Sequence, residues 1–410
     1  MPSSADVDAA ATAAAWLLVL RRCSPRSIAA AARCCRSLAA CATTVTLERQ
    51  ADCSGGLEPH PIPYVGRLPS GQPYASFTYL AASVEPGGLG ALAVQGGCTC
   101  LLLRGTACCD PPPTRSAGSC SSCECATAWS PEGNYSPTGL LLELMPSARG
   151  RRAATRPDSE PDAGGAGGTA ADATAPRGPP LRLPVITTAP FLRECGAACP
   201  CLLSACANRV TQRGVRLPLR IQPSPVAPGG WGLFAGAPIP QGAFVCVYAG
   251  QLITQAEKRL RRSREAPGSS SYLLTAREVL PSGRAALVFT VDPREVGSVG
   301  RFANHACGPP QANLEPKLTR RAGRLVPEVA FFAGRDVGEG EELMFTYAAA
   351  PERAAGLRSG EGPTSSSLSP TYVQPPDSDA TVAAANGSWP CRCGAPACTG
   401  AMPVESISDW

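Results

Sequence analysis

Cysteine is the residue that most directly offers chemistry in this 410-residue chain, where it occurs 21 times, much of it in short-spaced groups. Cys98, Cys100, Cys108, Cys109, Cys120, Cys123 and Cys125 form one group, and Cys195, Cys199, Cys201 and Cys206 a second. Cys391, Cys393 and Cys398 make a C-x-C-x4-C array close to the last residue. The C-x-C pairs suit thiolates that serve neighbouring metal ions. Nine thiolates hold three zinc ions when three of them bridge, because six terminal and three shared sulfurs supply four bonds to each metal. Bound zinc lowers the thiol pKa, so the thiolates form at neutral pH. The two groups hold more thiols than that scheme needs. The expected ligands are Cys98, Cys100, Cys108, Cys123, Cys125, Cys195, Cys199, Cys201 and Cys206, with Cys120 and one of the Cys108/Cys109 pair in surplus. A secreted disulfide framework fits less well: the count is odd and the pairs are C-x-C. Asp6 and Asp8 also precede the apolar run "AAAWLLVL" (13–20) where a signal peptide needs positive charge. That run is too short to span a membrane. The tail array supplies three ligands, and a closed tetrahedral site takes its fourth from elsewhere.

The elements that must position these thiols are uneven. Gly (42) and Pro (43) are abundant and aromatic residues are 5% of the chain, so much of it reads as linker. Residues 1–50 read as an Ala-rich, low-complexity leader, partly helical at best, and 51–97 as an extended arm with scattered aromatics. Residues 98–214 hold both large thiol groups around a Gly/Ala/Pro-rich insert, 146–180, that composition marks as disordered. From 215 to 350 the texture changes. "VRLPLRIQ" (215–222) and "AFVCVYAGQLI" (243–253) alternate as strands do, and "SYLLTAREV", "ALVFTVD" and "EVAFFAGRDV" are further short strands. "TQAEKRLRRSRE" (254–265) is the best helix, opened by Thr254 as N-cap with Glu257 three residues on. Many short strands with one helix predict a compact, mainly β fold. Residues 351–388 read as a disordered linker, and 389–404 as the tail metal site. The net charge of +5 is too mild to force a nucleic-acid reading.

After the nine-thiol cluster come "GGWGLFAGAPIPQGAFVCVYAGQLIT" (229–254), "FTVDPREVGSVGRFANHAC" (289–307) and "GEGEELMFTYA" (338–348), then the tail array. Together they resemble the SET-domain histone-lysine N-methyltransferases of the Suv39 class. The resemblance implies a mainly β SET fold of small curled sheets with a pseudoknot that joins "RFANH" to "ELMFTY". Zinc-binding pre-SET and post-SET modules would flank it, the first with three zinc ions and the second with one. It makes Cys307 the fourth ligand beside Cys391, Cys393 and Cys398. It implies S-adenosyl-L-methionine as methyl donor, held by Gly230, Trp231, Gly232, Tyr272, Arg301, Asn304 and His305. Tyr347 matches the catalytic tyrosine that orients the target amine, and Tyr272 the aromatic at the cofactor and lysine channel. His305 is one of two histidines, yet the resemblance gives it a hydrogen-bonding role and no proton transfer. Phe345 stands where the family carries Phe or Tyr; Phe leaves room for more than one methyl, at least to the dimethyl state. Val247, Gln251, Ala306 and Thr346 depart from the usual residues, and "CLLSAC" (201–206) is one residue longer than the usual spacing. The implied activity is methylation of a histone H3 tail on the nucleosome, at the ninth or the thirty-sixth residue, in the nucleus on the chromosome. No membrane association and no sequence-specific DNA binding are expected. The alternative, favoured by Thr346 and Gln251, is a catalytically weak SET-fold zinc scaffold that binds chromatin partners.

Overall fold

A computed structural model describes residues 4–84, 134–136, 138–141, 144, 186–187, 192–197, 199–204, 206–264, 272–279, 286–347, 390–398 and 400–402. The insert expected at 146–180, the linker at 351–388, and Cys98, Cys100, Cys108, Cys109, Cys120, Cys123 and Cys125 lie outside the described residues. Along the chain run α1 (Ser4–Leu20), α2 (Pro25–Ala31), α3 (Arg36–Ala51), β1 (Thr78–Tyr79), β2 (Ile186–Thr187), β3 (Leu192–Glu194), β4 (Leu219–Pro223), β5 (Trp231–Ala235), β6 (Phe244–Tyr248) and β7 (Gly250–Ile253). There follow α4 (Gln255–Ser263), β8 (Leu274–Val279), β9 (Ala286–Gly297), β10 (Asn304–His305), β11 (Leu314–Arg321), β12 (Glu328–Ala333) and β13 (Met344–Phe345).

The strands make several small sheets: β3-β11-β12-β6, a hairpin β4-β5, the pair β10-β13, and β1-β9-β8-β2 with β7 also on β9. Strands β5, β6 and β12 are buried at every position. Their near-continuous apolar runs are what a strand covered on both faces requires. Helix α4 forms where the sequence places it, with the Thr254 hydroxyl accepting the Glu257 N–H at 3.2 Å. Strand β11, "LEPKLTRR", goes unnoticed in the sequence because Pro316 interrupts it. Pro316 faces Phe331 of β12, while β3 pairs with β11 only from Thr319 onward. The missing N–H therefore points to a side without a strand partner among the described residues, where proline is tolerated.

The N-terminal fifty residues correct the expectation of a leader that is partly helical at best. They form three helices around a small core of Leu20, Ile28, Cys41, Ala42 and Val45. Alanine has the highest helix propensity. Ser24 caps α2, Pro25 opens it, and the Ser24 hydroxyl accepts the Ser27 N–H. Arg21 pairs with Glu48 at 2.6 Å, and Arg49 donates to the carbonyls of Arg21 and Cys23, which ties α1 to α3.

Residues 52–84 run extended across the main core. They contribute Ile62, Tyr64, Leu68, Tyr74 and Tyr79 to the same cluster as Leu233, Val291 and Phe331. The segment is stitched by Val65 N–H to Ile221 O (2.8 Å) and Ile221 N–H to Pro63 O (2.9 Å). Strand β1 then lies parallel to β9, Thr78 against Val296. The buried Glu58 secures the end of this path. Its Oε1 accepts the Tyr79 hydroxyl and its Oε2 the Val215 N–H, both at 2.7 Å.

Candidate active site

Two segments 40 positions apart, Asn304–His305 and Met344–Phe345, run side by side as a parallel pair. Asn313 fastens the crossing: its side-chain oxygen accepts the Met344 N–H at 2.9 Å and its amide donates to Glu342 O at 2.9 Å. "RFANH" and "ELMFTY" are thereby joined, and the side chains expected to do chemistry project from the joint. His305 Nδ1 accepts the Tyr347 N–H at 3.0 Å. The other ring nitrogen therefore carries the proton and faces Cys307 Sγ at 3.3 Å. Burial holds the His305 pKa down to about 4, so the ring is neutral. The Tyr347 hydroxyl donates to Ala303 O at 2.8 Å. Burial first, and then Tyr272 and Glu342, keep that phenol's pKa above its ordinary value. An aromatic wall continues from Tyr347 through Phe345 (4.7 Å between centroids), Phe331 (4.7 Å) and Tyr248 (5.9 Å). Tyr248 and Phe331 are additions to the residues read from the sequence; their signal was an aromatic inside a buried strand, which core packing also explains.

Asn304 connects the crossing to the glycine-rich turn. Its amide donates to Trp231 O at 3.1 Å and to Glu342 Oε1 at 2.7 Å. The same carboxylate oxygen accepts the Ser224 hydroxyl at 2.7 Å, while Oε2 is buried without a partner among the described residues. Burial raises the Glu342 pKa against the opposing effect of those two donors. A Cβ at Gly232 would lie 2.4 Å from Glu342 Oε1, and one at Gly230 would lie 3.1 Å from Ala227 O. Gly232 is thus demanded by the protein's own packing. Trp231 is buried, edge-on to Tyr64 at 5.1 Å, and its indole N–H has no partner among the described residues.

Arg301 lies 8% exposed, with Nε and Nη1 lacking hydrogen-bond partners among the described residues. Its guanidinium faces the rings of Phe77 (4.4 Å), Tyr272 (4.7 Å) and Phe302 (5.3 Å). The Tyr248 hydroxyl donates to Tyr272 O at 2.5 Å, which joins this cage to the aromatic wall. A buried cation with orphan donors is the partner a carboxylate requires, so these residues fit the amino-acid end of S-adenosylmethionine.

Cys307, Cys391, Cys393 and Cys398 meet, with all four sulfurs within 4.8 Å of one another. Cys307 Sγ is 3.7 Å from Cys391 Sγ and 3.8 Å from Cys398 Sγ. Tetrahedral zinc with bonds of about 2.3 Å separates its sulfurs by about 3.8 Å, so the donor set fits one zinc ion. Burial pushes the Cys393 thiol up, but the N–H groups of Cys307 and Ala395 outweigh it and hold its pKa at about 7. Burial raises Cys391 and Cys398 instead. Cys195, Cys201 and Cys206 form a second group of three buried thiols within the same 4.8 Å limit. Cys199 stands outside that trio, its sulfur accepting the Gly196 N–H at 3.3 Å. Arg209 donates to Cys201 Sγ at 3.2 Å. The buried Glu194 fixes the preceding backbone by accepting from Tyr135, Thr211 and Gln212.

The departure at Gln251 is absorbed locally. Gln251 Oε1 accepts Arg261 Nη2 at 2.7 Å, and Arg261 also pairs with Asp292 and Glu257. An amide oxygen serves there as a carboxylate oxygen would.

The joined segments, the small sheets around them and the thiol groups on either side define the SET fold. A SET domain family model matches residues 230–348. The Arabidopsis thaliana histone-lysine N-methyltransferase SUVR3 is 36% identical over 220 residues, covering 52% of this chain and 52% of that protein. The chain therefore spans about half the length of that relative. The methyltransferase domain of human histone-lysine N-methyltransferase SETMAR superposes with a TM-score of 0.53 at 24% identity, over 87% of this chain and 99% of that one. Arabidopsis thaliana SUVH6, solved in complex with SAM, gives 0.52 at 22% identity over 86% of this chain and 55% of that one. Over residues 230–348 the chain thus matches the SET domain, and it is similar to Suv39-like histone-lysine N-methyltransferases such as SUVR3.

Proposed function

We propose that this chain is an S-adenosylmethionine-dependent protein-lysine N-methyltransferase acting on a histone H3 tail of the nucleosome, in the nucleus, and adding methyl groups at least to the dimethyl state. The observation that carries the reading is the joint where Tyr347, His305 and Asn304 converge beside an aromatic wall and a caged, under-bonded Arg301. The relative SUVR3 carries the name histone-lysine N-methyltransferase, and SUVH6, which shares the fold, was solved with SAM.

S-adenosylmethionine, when bound, supplies a methyl group on a positively charged sulfur. The chain's own residues do the rest. Arg301 offers an unpartnered N–H donor to the carboxylate of the donor, and Asn304 fixes the Trp231 backbone within the glycine-rich turn. Phe345, Phe331, Tyr248 and Tyr347 exclude water from the lysine stem. Desolvation lowers the lysine pKa and presents the amine neutral, with its lone pair available. Tyr347 commits its own proton to Ala303 O, which leaves its oxygen lone pairs to accept from the amine N–H and aim it. This is positioning catalysis, in which alignment of the reacting atoms lowers the barrier. His305, neutral and bonded on both nitrogens, takes no proton in this scheme. Phe345 offers no hydroxyl to restrain a methylated amine, which permits successive transfers. Cys307, Cys391, Cys393 and Cys398 would hold a zinc ion that fastens the tail beside His305, and Cys195, Cys201 and Cys206 would join the pre-SET zinc cluster.

Mass spectrometry of a histone mixture incubated with the purified full chain and S-adenosylmethionine tests the reading. New methyl groups on histone H3, abolished or strongly reduced by Tyr347→Phe, are expected. Equal labelling by both proteins would overturn the catalytic assignment, and no labelling by either would favour the scaffold alternative.

A further inference from the structure

The donor pocket proposed above is bounded on one side by a residue that lies far outside the SET domain. Of the three rings around Arg301 among the described residues, Tyr272 and Phe302 belong to the 230–348 region, whereas the nearest, Phe77 at 4.4 Å, comes from the extended N-terminal segment. Phe77 is rigidly placed. Thr78 and Tyr79 pair with β9, Leu80 N–H donates to Gly297 O at 2.7 Å, and Tyr79 is anchored on Glu58. Its ring also stands edge-on to Phe302 at 5.6 Å.

A guanidinium can be held by its faces or by its edge. Aromatic rings take the faces through cation–π attraction and leave the in-plane N–H groups free. A carboxylate takes the edge, with N–H bonds lying in the guanidinium plane. The Arg301 guanidinium carbon lies over the Phe77 and Tyr272 rings at 4.4 and 4.7 Å, while Nε and Nη1 have no hydrogen-bond partner among the described residues. An aliphatic side chain at position 77 would fill the same space but would supply no ring quadrupole to hold the cation.

We propose that Phe77 is a positioning residue of the donor site: its ring holds the Arg301 guanidinium so that its unpartnered N–H donors stay available to the carboxylate of S-adenosylmethionine. The N-terminal segment is then a working part of the donor pocket as well as a packing element. This inference rests on the donor-site reading of Arg301.

The test uses the full chain as wild type, Phe77→Trp, Phe77→Leu and Phe77→Met. Calorimetric binding is measured with two probes: S-adenosylhomocysteine, which carries the carboxylate, and 5′-methylthioadenosine, which lacks it. Leu and Met keep the apolar volume without a ring, and either alone suffices if the other does not fold. Loss of a desolvated cation–π contact is expected to weaken S-adenosylhomocysteine roughly ten-fold in those two variants. Trp should stay within about three-fold of wild type, because it presents the stronger π face. Binding of 5′-methylthioadenosine should be the same in all four proteins. Unchanged S-adenosylhomocysteine affinity in Phe77→Leu overturns the proposal. Equal weakening of both probes overturns it too, since that marks a general packing role. A wild type that binds neither probe overturns the donor-site reading itself, and the inference with it.

Discussion

Gly232→Ala isolates the contact that holds the glycine-rich turn to the crossing. The new Cβ would sit 2.4 Å from Glu342 Oε1 and 2.9 Å from Glu342 Cδ and Phe234 Cε2. Restoring ordinary contact moves the carboxylate by about 1 Å, to a separation of about 3.4 Å that real Cβ contacts tolerate. Oε1 holds Ser224 Oγ and Asn304 Nδ2, each at 2.7 Å, and a shift of that size stretches or misaligns these bonds. Bonds to a charged acceptor are worth about 1.5–3 kcal/mol each, and partial relaxation recovers some of it, so the expected loss is about 3 kcal/mol. For a folded unit of this size that lowers the unfolding midpoint by roughly 6–12 °C. The decisive measurement is a double-mutant cycle by urea unfolding with Glu342→Ala, which removes the obstructing carboxylate. In that background Gly232→Ala should cost less than about 1 kcal/mol, because only the edge of the Phe234 ring must yield. A cost equal in both backgrounds, or below about 0.5 kcal/mol in the wild type, would refute this account of why position 232 is glycine.

Cys393→Ser should lower bound zinc by one equivalent relative to wild type by elemental analysis and hasten proteolytic cleavage of the tail, because the fourth sulfur of a set spaced for one ion is gone; an unchanged zinc count would exclude the tail site. Tyr347→Phe should reduce methyl transfer about 100-fold or more while S-adenosylhomocysteine affinity stays within about three-fold, because the hydroxyl acts on the amine. Phe345→Tyr should shift products toward fewer methyl groups by mass spectrometry, with the first transfer retained. Burial alone would push the Asp292 carboxyl up, but hydrogen bonds from Arg294 and Arg261 outweigh it and hold its pKa below the usual range. A depressed acid contributes stability that is present above the ordinary Asp pKa of about 3.9 and is lost as pH falls through the lower folded value. Urea midpoints should therefore fall more steeply below about pH 4 in wild type than in Asp292→Asn; parallel slopes would rule the pairing out as a source of acid sensitivity.

The sequence by itself determined what depends on neighbours along the chain. Thr254 and Glu257 announce the start of α4 because a cap is made within one turn. Short apolar runs bounded by Gly/Pro turns mark β6 to β9 and β12 because strand and turn preferences are local, and paired thiols mark metal chemistry because their spacing is local. The resemblance to a known class then pointed to the crossing and to Cys307. Local signals also misled. Pro316 hid β11, and low complexity hid a three-helix unit whose stability comes from Leu20, Ile28 and Val45 meeting across helices. Only the tertiary structure put Glu342 against Gly232 and Phe77 over Arg301. Each of those contacts joins segments that share no periodicity. Their encounter is set by how the whole core closes, a sum over many burial terms that no short window of residues contains.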